Sequence, residues 1–257
     1  MISILTLHSS ESAQLLGDPN FPQILDSAPH GERIIRFQEL YQIYSRLGLT
    51  RASDRPRAIN GLEKRLLHAM NVKGGFGMFQ AASTKGLLCR SLLWHRGSDT
   101  PSLSRIPRIT VPSWSWMAYA GGKDATGKDY AGGINYFKLK FKGFDWEDFE
   151  SPWSRSKKDE ADYTLIAKVR GFTRSPARTG EDHLVFDTPA HKGRYNAKCV
   201  VLGIQRGTSS LNDKRHYVLV VADRFDDKNG RVYERVGAGY LPGRCLIADD
   251  AVLASIQ

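Results

Sequence analysis

The stretch whose reading decides the fold is "PSWSWMAYAGG", Pro112 to Gly122, which sets Trp114 and Trp116 one residue apart among the chain's five tryptophans. In an extended strand, alternate side chains share a face. The spacing then predicts Trp114, Trp116 and Ala118 on one face, with Ser113, Ser115, Met117 and Tyr119 on the other. An indole buries roughly 150–250 Å², and two neighbouring indoles turned to water would make an unusual apolar patch. The pair therefore reads as a buried anchor packed on a helical layer, with both serines facing solvent or bonding locally.

Working outward, the hydrophobic period differs on the two sides of this stretch. Upstream, Ile34, Ile35, Leu40, Tyr41, Tyr44 and Leu47 recur at three- and four-residue spacing, the pattern of an amphipathic helix, with Gly48 as its stop. In "SDRPRAINGLEKRLLHAM", Ser53 and Asp54 are N-cap types and Pro56 suits a first turn. Ile59, Leu62, Leu66 and Leu67 give a second apolar face, so an antiparallel helical pair is expected. "GLLCRSLLW", Gly86 to Trp94, reads as a short buried helix, and "RGSDTPSLSRIPR" as a polar loop.

Downstream the period shifts towards two. "INYFKLKFK" predicts a half-buried strand with Phe137, Leu139 and Phe141 inward, and Tyr136, Lys138, Lys140 and Lys142 outward. "YTLIAKV", "HLVFD", "AKCVVLGI", "YVLVVADR" and "RVYERVGAGYL" continue as Val- and Tyr-rich strands. No helix-length crossover separates them, which predicts mainly antiparallel pairing. "DWEDFESPWSRSKKDEAD", Asp145 to Asp162, reads as an irregular charged loop. Gly237 and Gly239 suggest a turn or bulge beside the last strand, and Asp249 or Asp250 would cap a short C-terminal helix.

Composition sets outer limits. The 257 residues are 41% hydrophobic and 25% charged, enough for one large domain with a sizeable core. Lys and Arg number 37 against 27 Asp and Glu, a net charge of +10. Such a charge favours nucleic acid or anionic lipid only where it is clustered. Cys89, Cys199 and Cys245 are odd in number and lack a CxxC pair, which suits reduced thiols better than a disulfide framework or zinc site. "MISILTLHSSESAQ" lacks the basic start of a signal peptide, and no run approaches the roughly 20 apolar residues of a membrane span. A soluble, intracellular, cytoplasmic protein is expected.

Candidate chemistry is sparse. Cys89 and His95 would offer a thiol and a base, but Leu87, Leu88, Leu92 and Leu93 around Cys89 point to a buried structural thiol. The seven histidines include no HxH or HxxxH pair. Glu147, Asp148 and Glu150 lie in a charged loop where nothing local would tune an acid–base pair. "KGGFGMF", Lys73 to Phe79, lacks the GKS or GKT ending and the preceding strand of a phosphate loop. Lys138, Lys140 and Lys142, with the basic "RSKK" and "HKGR" loops, could attract nucleic acid, but only Tyr136 shares the lysine face for base stacking. The residues thus nominate no catalytic, cofactor-binding or metal-binding group.

Several segments, in order, resemble the region C-terminal to the HET domain of fungal heterokaryon-incompatibility proteins. "YSRLGLTRASDRPRAINGL" (Tyr44 to Leu62) is similar to that family's YSxRxLTxxSDRLPAISGL-like segment, and "GLLCRSLLW" to its GLW…LLW segment. "VPSWSWMAYAGG" resembles the PSWSWAS…G signature, "GGINYF" the G-x-I-x-Y that follows, and "YERVGAGYL" the closing YxRVGxGxL. The departures are Arg46 one position early, Pro56-Arg57 for Leu-Pro, Leu88 for Trp, Met117 for a small residue, and "KDATGKDYA" as an insertion. The HET domain itself, which is TIR-like, has no counterpart here. The resemblance therefore implies a truncated paralogue, a gene fragment or an accessory half of a nonself-recognition protein of the kind that triggers programmed cell death. No catalytic residue carries over.

The expectation is an α+β fold, an N-terminal helical layer on a mainly antiparallel β-sheet or sandwich. Residues 1–30 would be an irregular lead-in and 31–257 one domain, helical over about 31–105 and β-rich over about 106–247. The expected function is a non-enzymatic regulatory or interaction region with a protein partner and no cofactor. A basic nucleic-acid-binding module is the alternative, and an enzyme whose site is not visible in sequence is the second.

Overall fold

The computed structural model describes residues 30–81, 86–122, 132–140, 142–150, 152–153, 163–173, 182–189, 191, 196–224, 232–247 and 251–257. Helices come first and a mainly antiparallel sheet follows, so the chain is α+β. Helix α1 (His30–Ser45) buries Ile34, Phe37, Leu40 and Tyr41. That stripe turns Ile35 to solvent, and Leu47, beyond the helix end, is also exposed. Helix α2 (Arg55–Met70) buries Ile59, Glu63, Leu66 and Met70 and stops at Asn71, left-handed at φ 51°, ψ 49°. Asp54 holds the N-cap position but makes no side-chain capping bond, so the predicted cap is geometric only. The two helices pack chiefly on β-structure: α1 on strand β6 (Ile134–Tyr136), and α2 on β1 (Lys73–Gly75).

The glycine-rich segment is a β-hairpin. Strand β1 pairs with β2 (Met78–Gln80) through Phe76 and Gly77, both at positive φ, 56° and 78°. Two central residues at positive φ define the hairpin turn whose twist matches the strands. Helix α3 (Leu87–Leu92) is buried throughout, and β3 (Trp94–Arg96) then pairs with β6. The expected polar loop contains strand β4 (Leu103–Arg105), paired with β5 (Tyr119–Gly121), because Leu103 and Ile106 supply buried anchors.

The tryptophan stretch is buried, but not as a strand. Every residue from Val111 to Tyr119 is buried, which a one-faced strand could not achieve. Ser115 caps a 3-10 turn over Trp116–Ala118, its hydroxyl accepting from Met117 N at 3.1 Å. Its hydroxyl also donates to Phe76 O at 2.7 Å. Neither serine faces solvent. Trp116 packs against Tyr41 and Tyr44, and Trp114 against Phe76 and Trp153. Both indole N–H groups are buried without an acceptor among the described residues, a cost set against their large apolar burial.

The sheet closes on itself. Strands β8 (Leu165–Arg170), β10 (Lys198–Gln205), β11 (Arg215–Asp223), β12 (Val232–Pro242) and β13 (Val252–Ile256) form a ring in which each pairs with two neighbours. Strand β7 (Phe144–Trp146) adds to β10, and β9 (His183–Phe186) to β12. Only β12–β13 is parallel within this sheet. The chain end is thus a strand where a helix was expected; Ala254 and Ile256 are buried in alternation, while Asp249 and Asp250 lie outside the described residues. The predicted strand over "INYFKLKFK" shortens to β6, with Tyr136 buried. Phe141 lies outside the described residues. The predicted charged loop starts with β7, and Trp146, Phe149 and Trp153 pack on the core; their aromatic spacing is hidden among acids.

Gly237 and Gly239 sit within β12, not at a turn. A register shift on β12, opposite Val220 and Val221, makes the predicted bulge. A Cβ on Gly237 would come 2.6 Å from Val185 O, and one on Gly239 would strike His183 O, so both glycines admit the β9 backbone. One hydrophobic cluster runs from Ile34 in α1 to Ile256 in β13 and includes both tryptophans of the signature. Replacing Trp116 by Ala is expected to cost about 3–5 kcal/mol. Gly77→Ala, whose Cβ would collide with the Trp116 indole, should destabilise strongly, whereas Gly48→Ala, with open space around it, should not. Urea denaturation checks the contrast; equal midpoints for the two glycine variants would refute this packing.

Candidate functional site

The chemical groups weighed in the sequence are placed apart. Cys89 is buried in α3, its thiol donating to Glu147 O at 3.4 Å, and burial pushes its pKa up, away from a reactive thiolate. Cys199 is pushed up to about 12 by burial. All three cysteines are free and buried. His95 is half-buried on β3; its Nδ1–H donates to Arg96 O at 2.8 Å and its ring meets Phe137 at 4.5 Å. Cys89 and His95 therefore have separate partners. In the glycine-rich hairpin, the Gly77 N–H donates to the buried Glu63 carboxylate, so an internal carboxylate occupies the place a phosphate would take. Burial raises the Glu63 pKa.

A cleft of about 220 Å³ opens beside β10, where its pairing passes from β8 to β7. Glu147, Asp148 and Phe149 line it together with Ile166, Lys168 and Arg170. Its described lining has no hydroxyl, thiol or imidazole. Glu150 is exposed, as are Lys138, Lys140 and Lys142. Among the described residues no group of three His, Cys, Asp or Glu could hold a metal ion. None of their helices is long and apolar enough to cross a membrane.

The densest polar constellation is wholly buried and centres on Arg235 of β12. Its guanidinium forks onto Asp187, Nε to Oδ2 at 3.1 Å and Nη2 to Oδ1 at 3.3 Å, with neither side chain exposed. Nη1 donates to Leu92 O at 2.9 Å and Nη2 to Trp94 O at 2.6 Å. The guanidinium carbon lies 3.3 Å from the Trp94 ring centroid, in cation–π contact. The Arg235 backbone is held as well: its N–H donates to Ser113 Oγ at 3.0 Å, and its carbonyl accepts from Tyr119 Oη at 3.1 Å. Ser113 Oγ donates to Gln257 O. The Trp94 indole donates to Trp114 O at 2.9 Å.

The network extends into the helices. Arg55 donates to Tyr119 O at 2.6 Å and to Ser45 O at 3.3 Å, with its guanidinium over Trp116. Ser45 Oγ accepts from Ile134 N at 2.9 Å. Arg46 binds Asp99, Ile134 O and Asn135 at 2.7–3.1 Å. Every segment that carries the sequence signature thus enters one chain of contacts: Ser45-Arg46, Arg55, Leu92 to Trp94, Ser113 to Tyr119, Ile134-Asn135 and Arg235. Asp187 was not singled out in the sequence, and Arg235 appears there only as the Arg of the closing YxRVGxGxL; "HLVFD" and "YERVG" read as strands, and a charge inside a strand was the available clue to their pairing. Comparisons with family models, curated proteins and solved structures find no match to this chain.

Two outcomes follow from this geometry. Breaking a buried ion pair at one partner costs about 3–5 kcal/mol, because the other charge is stranded. Arg235→Met and Asp187→Leu should each lose about that much in chemical denaturation, while the double variant should lose less than their sum. Strict additivity would exclude the pairing. Burial holds the His95 pKa at about 4, against about 6.5 for a free imidazole. The unfolded chain then binds the extra proton first, so His95-linked stability is full above about pH 6.5 and is lost as pH falls towards 4. His95→Gln should flatten stability across that window; an unchanged pH profile would contradict it.

Proposed function

We propose that the chain is a non-enzymatic regulatory or interaction region of a HET-type fungal nonself-recognition protein, acting through a protein partner in heterokaryon incompatibility. The observation that supports this reading is the use made of the signature residues. Trp114, Trp116, Ser113, Ser115, Arg55 and Arg235 all serve one buried network. A signature spent on packing preserves a shape, and a shape is what a recognition region presents. Cys89, read from the sequence as a structural thiol, is buried, and burial raises its pKa.

The reading is tested in a filamentous fungus. Expressed alone, the chain should leave growth unaffected. Co-expressed with an intact HET-type protein, it should alter the incompatibility response, and Arg235→Met should abolish that effect by loosening the fold. Cell death caused by the chain alone would point to an effector activity of its own. An unaltered response in the presence of the intact protein would contradict the regulatory role.

A further inference from the structure

Viewed along its sequence, the segment 137–146 alternates cations and rings that do not share a strand face. In three dimensions, rings from several strands meet beside those cations. Phe137 lies 6.0 Å from His183 and 6.3 Å from Tyr217, by ring centroids. Tyr217 continues to Tyr240 at 5.6 Å and to Phe144 at 5.4 Å, and Phe144 stacks on Trp146 at 5.0 Å. His183 stacks on Tyr240 at 5.7 Å. Tyr217 is the buried hub, whereas Phe137, Phe144, Trp146 and Tyr240 are partly exposed and His183 is exposed. The result is a continuous aromatic ridge across β7, β9, β11 and β12 and Phe137, the residue after β6.

Cations border the ridge. Lys138, Lys140 and Lys142 are exposed on the segment joining Phe137 to Phe144. Leu139 and Lys140 are held from beneath, because the buried Arg90 donates to both their carbonyls at 3.1 Å. Arg215, also exposed, lies over the Tyr240 ring at 4.7 Å. Among the acids beside the ridge, Asp145 pairs with Arg206 at 2.7 Å, Asp182 precedes His183, and Glu147 and Asp148 follow Trp146. The local excess of positive charge belongs to a chain of net charge +10.

We propose that this ridge binds single-stranded nucleic acid, its bases stacking on the partly exposed rings and its phosphates meeting Lys138, Lys140, Lys142 and Arg215. Both required elements are side by side, a track of cations and partly exposed aromatic rings, which accept any base. An anionic membrane or an acidic peptide would satisfy the cations and leave the rings without a stacking partner. The assignment stands independently of the incompatibility reading, since it rests on this surface alone.

The test is fluorescence anisotropy with a labelled oligothymidylate of about 20 nucleotides, chosen to exceed the few bases one ridge can seat. An abasic strand of equal length and anionic phosphatidylserine vesicles serve as comparators. Binding to oligothymidylate should weaken steeply with salt. It should fall at least about tenfold in Lys138→Glu/Lys140→Glu/Lys142→Glu, through lost phosphate contacts. His183→Ala, an exposed site that leaves the core intact, should weaken it several-fold. The abasic strand should bind about tenfold less tightly, the scale of a stacked base. Circular dichroism melting should match wild type for both variants. Absence of binding at low salt, equal affinity for the abasic strand, or tighter binding to the vesicles would each overturn the proposal.

Discussion

A guanidinium without access to water must find its hydrogen bonds inside the protein, and Arg235 finds them in two distant parts of the chain, at Asp187 and at Leu92 to Trp94. Asp187 neutralises it, the carbonyls of Leu92 and Trp94 accept from it, and the Trp94 ring covers it. Leaving such a charge unpaired would cost several kcal/mol. The ring of strands, the segment carrying Asp187 and the β3 strand are therefore tied by one requirement. Ser113 strengthens the tie by accepting from the Arg235 N–H and reaching the chain's last carbonyl.

This constraint explains why small polar residues stand between large aromatic ones in the signature. Trp114 and Trp116 fill volume between the helices and the sheet, while Ser113 and Ser115 satisfy backbone groups that the indoles remove from water. Glycines complete the arrangement. Gly77 leaves room for the Trp116 indole, and Gly133 for the Arg46 side chain. The surface proposed for nucleic acid lies elsewhere, beside Leu139 and Lys140, whose carbonyls Arg90 holds.

Much of the fold was legible because periodicity reports burial. The β8 strand alternates as expected, with Leu165, Ala167 and Val169 inward, and the order of helices before strands holds. The burial of both tryptophans followed from their size. Their local conformation did not, since a serine that caps a 3-10 turn looks like any alternate residue of a strand. The C-terminal strand was missed because acidic residues resembled a cap and the partners, β8 and β12, are distant in sequence. The Arg235–Asp187 pair was illegible for a similar reason: its members are 48 positions apart, and pairing is a property of the fold. The aromatic ridge escaped the sequence because its rings come from four strands and the residue after β6, and no single strand shows more than one or two.

The central claim is that the Arg235 network unites the helical part and the sheet into one cooperative structure. Native-state hydrogen exchange measures this most directly, at the amides of Arg235, bonded to Ser113, and of Ile134, bonded to Ser45. Both should exchange only through global unfolding, with one shared opening free energy that falls with denaturant along the same slope. Separate opening energies for the two amides, one of them insensitive to denaturant, would contradict the account.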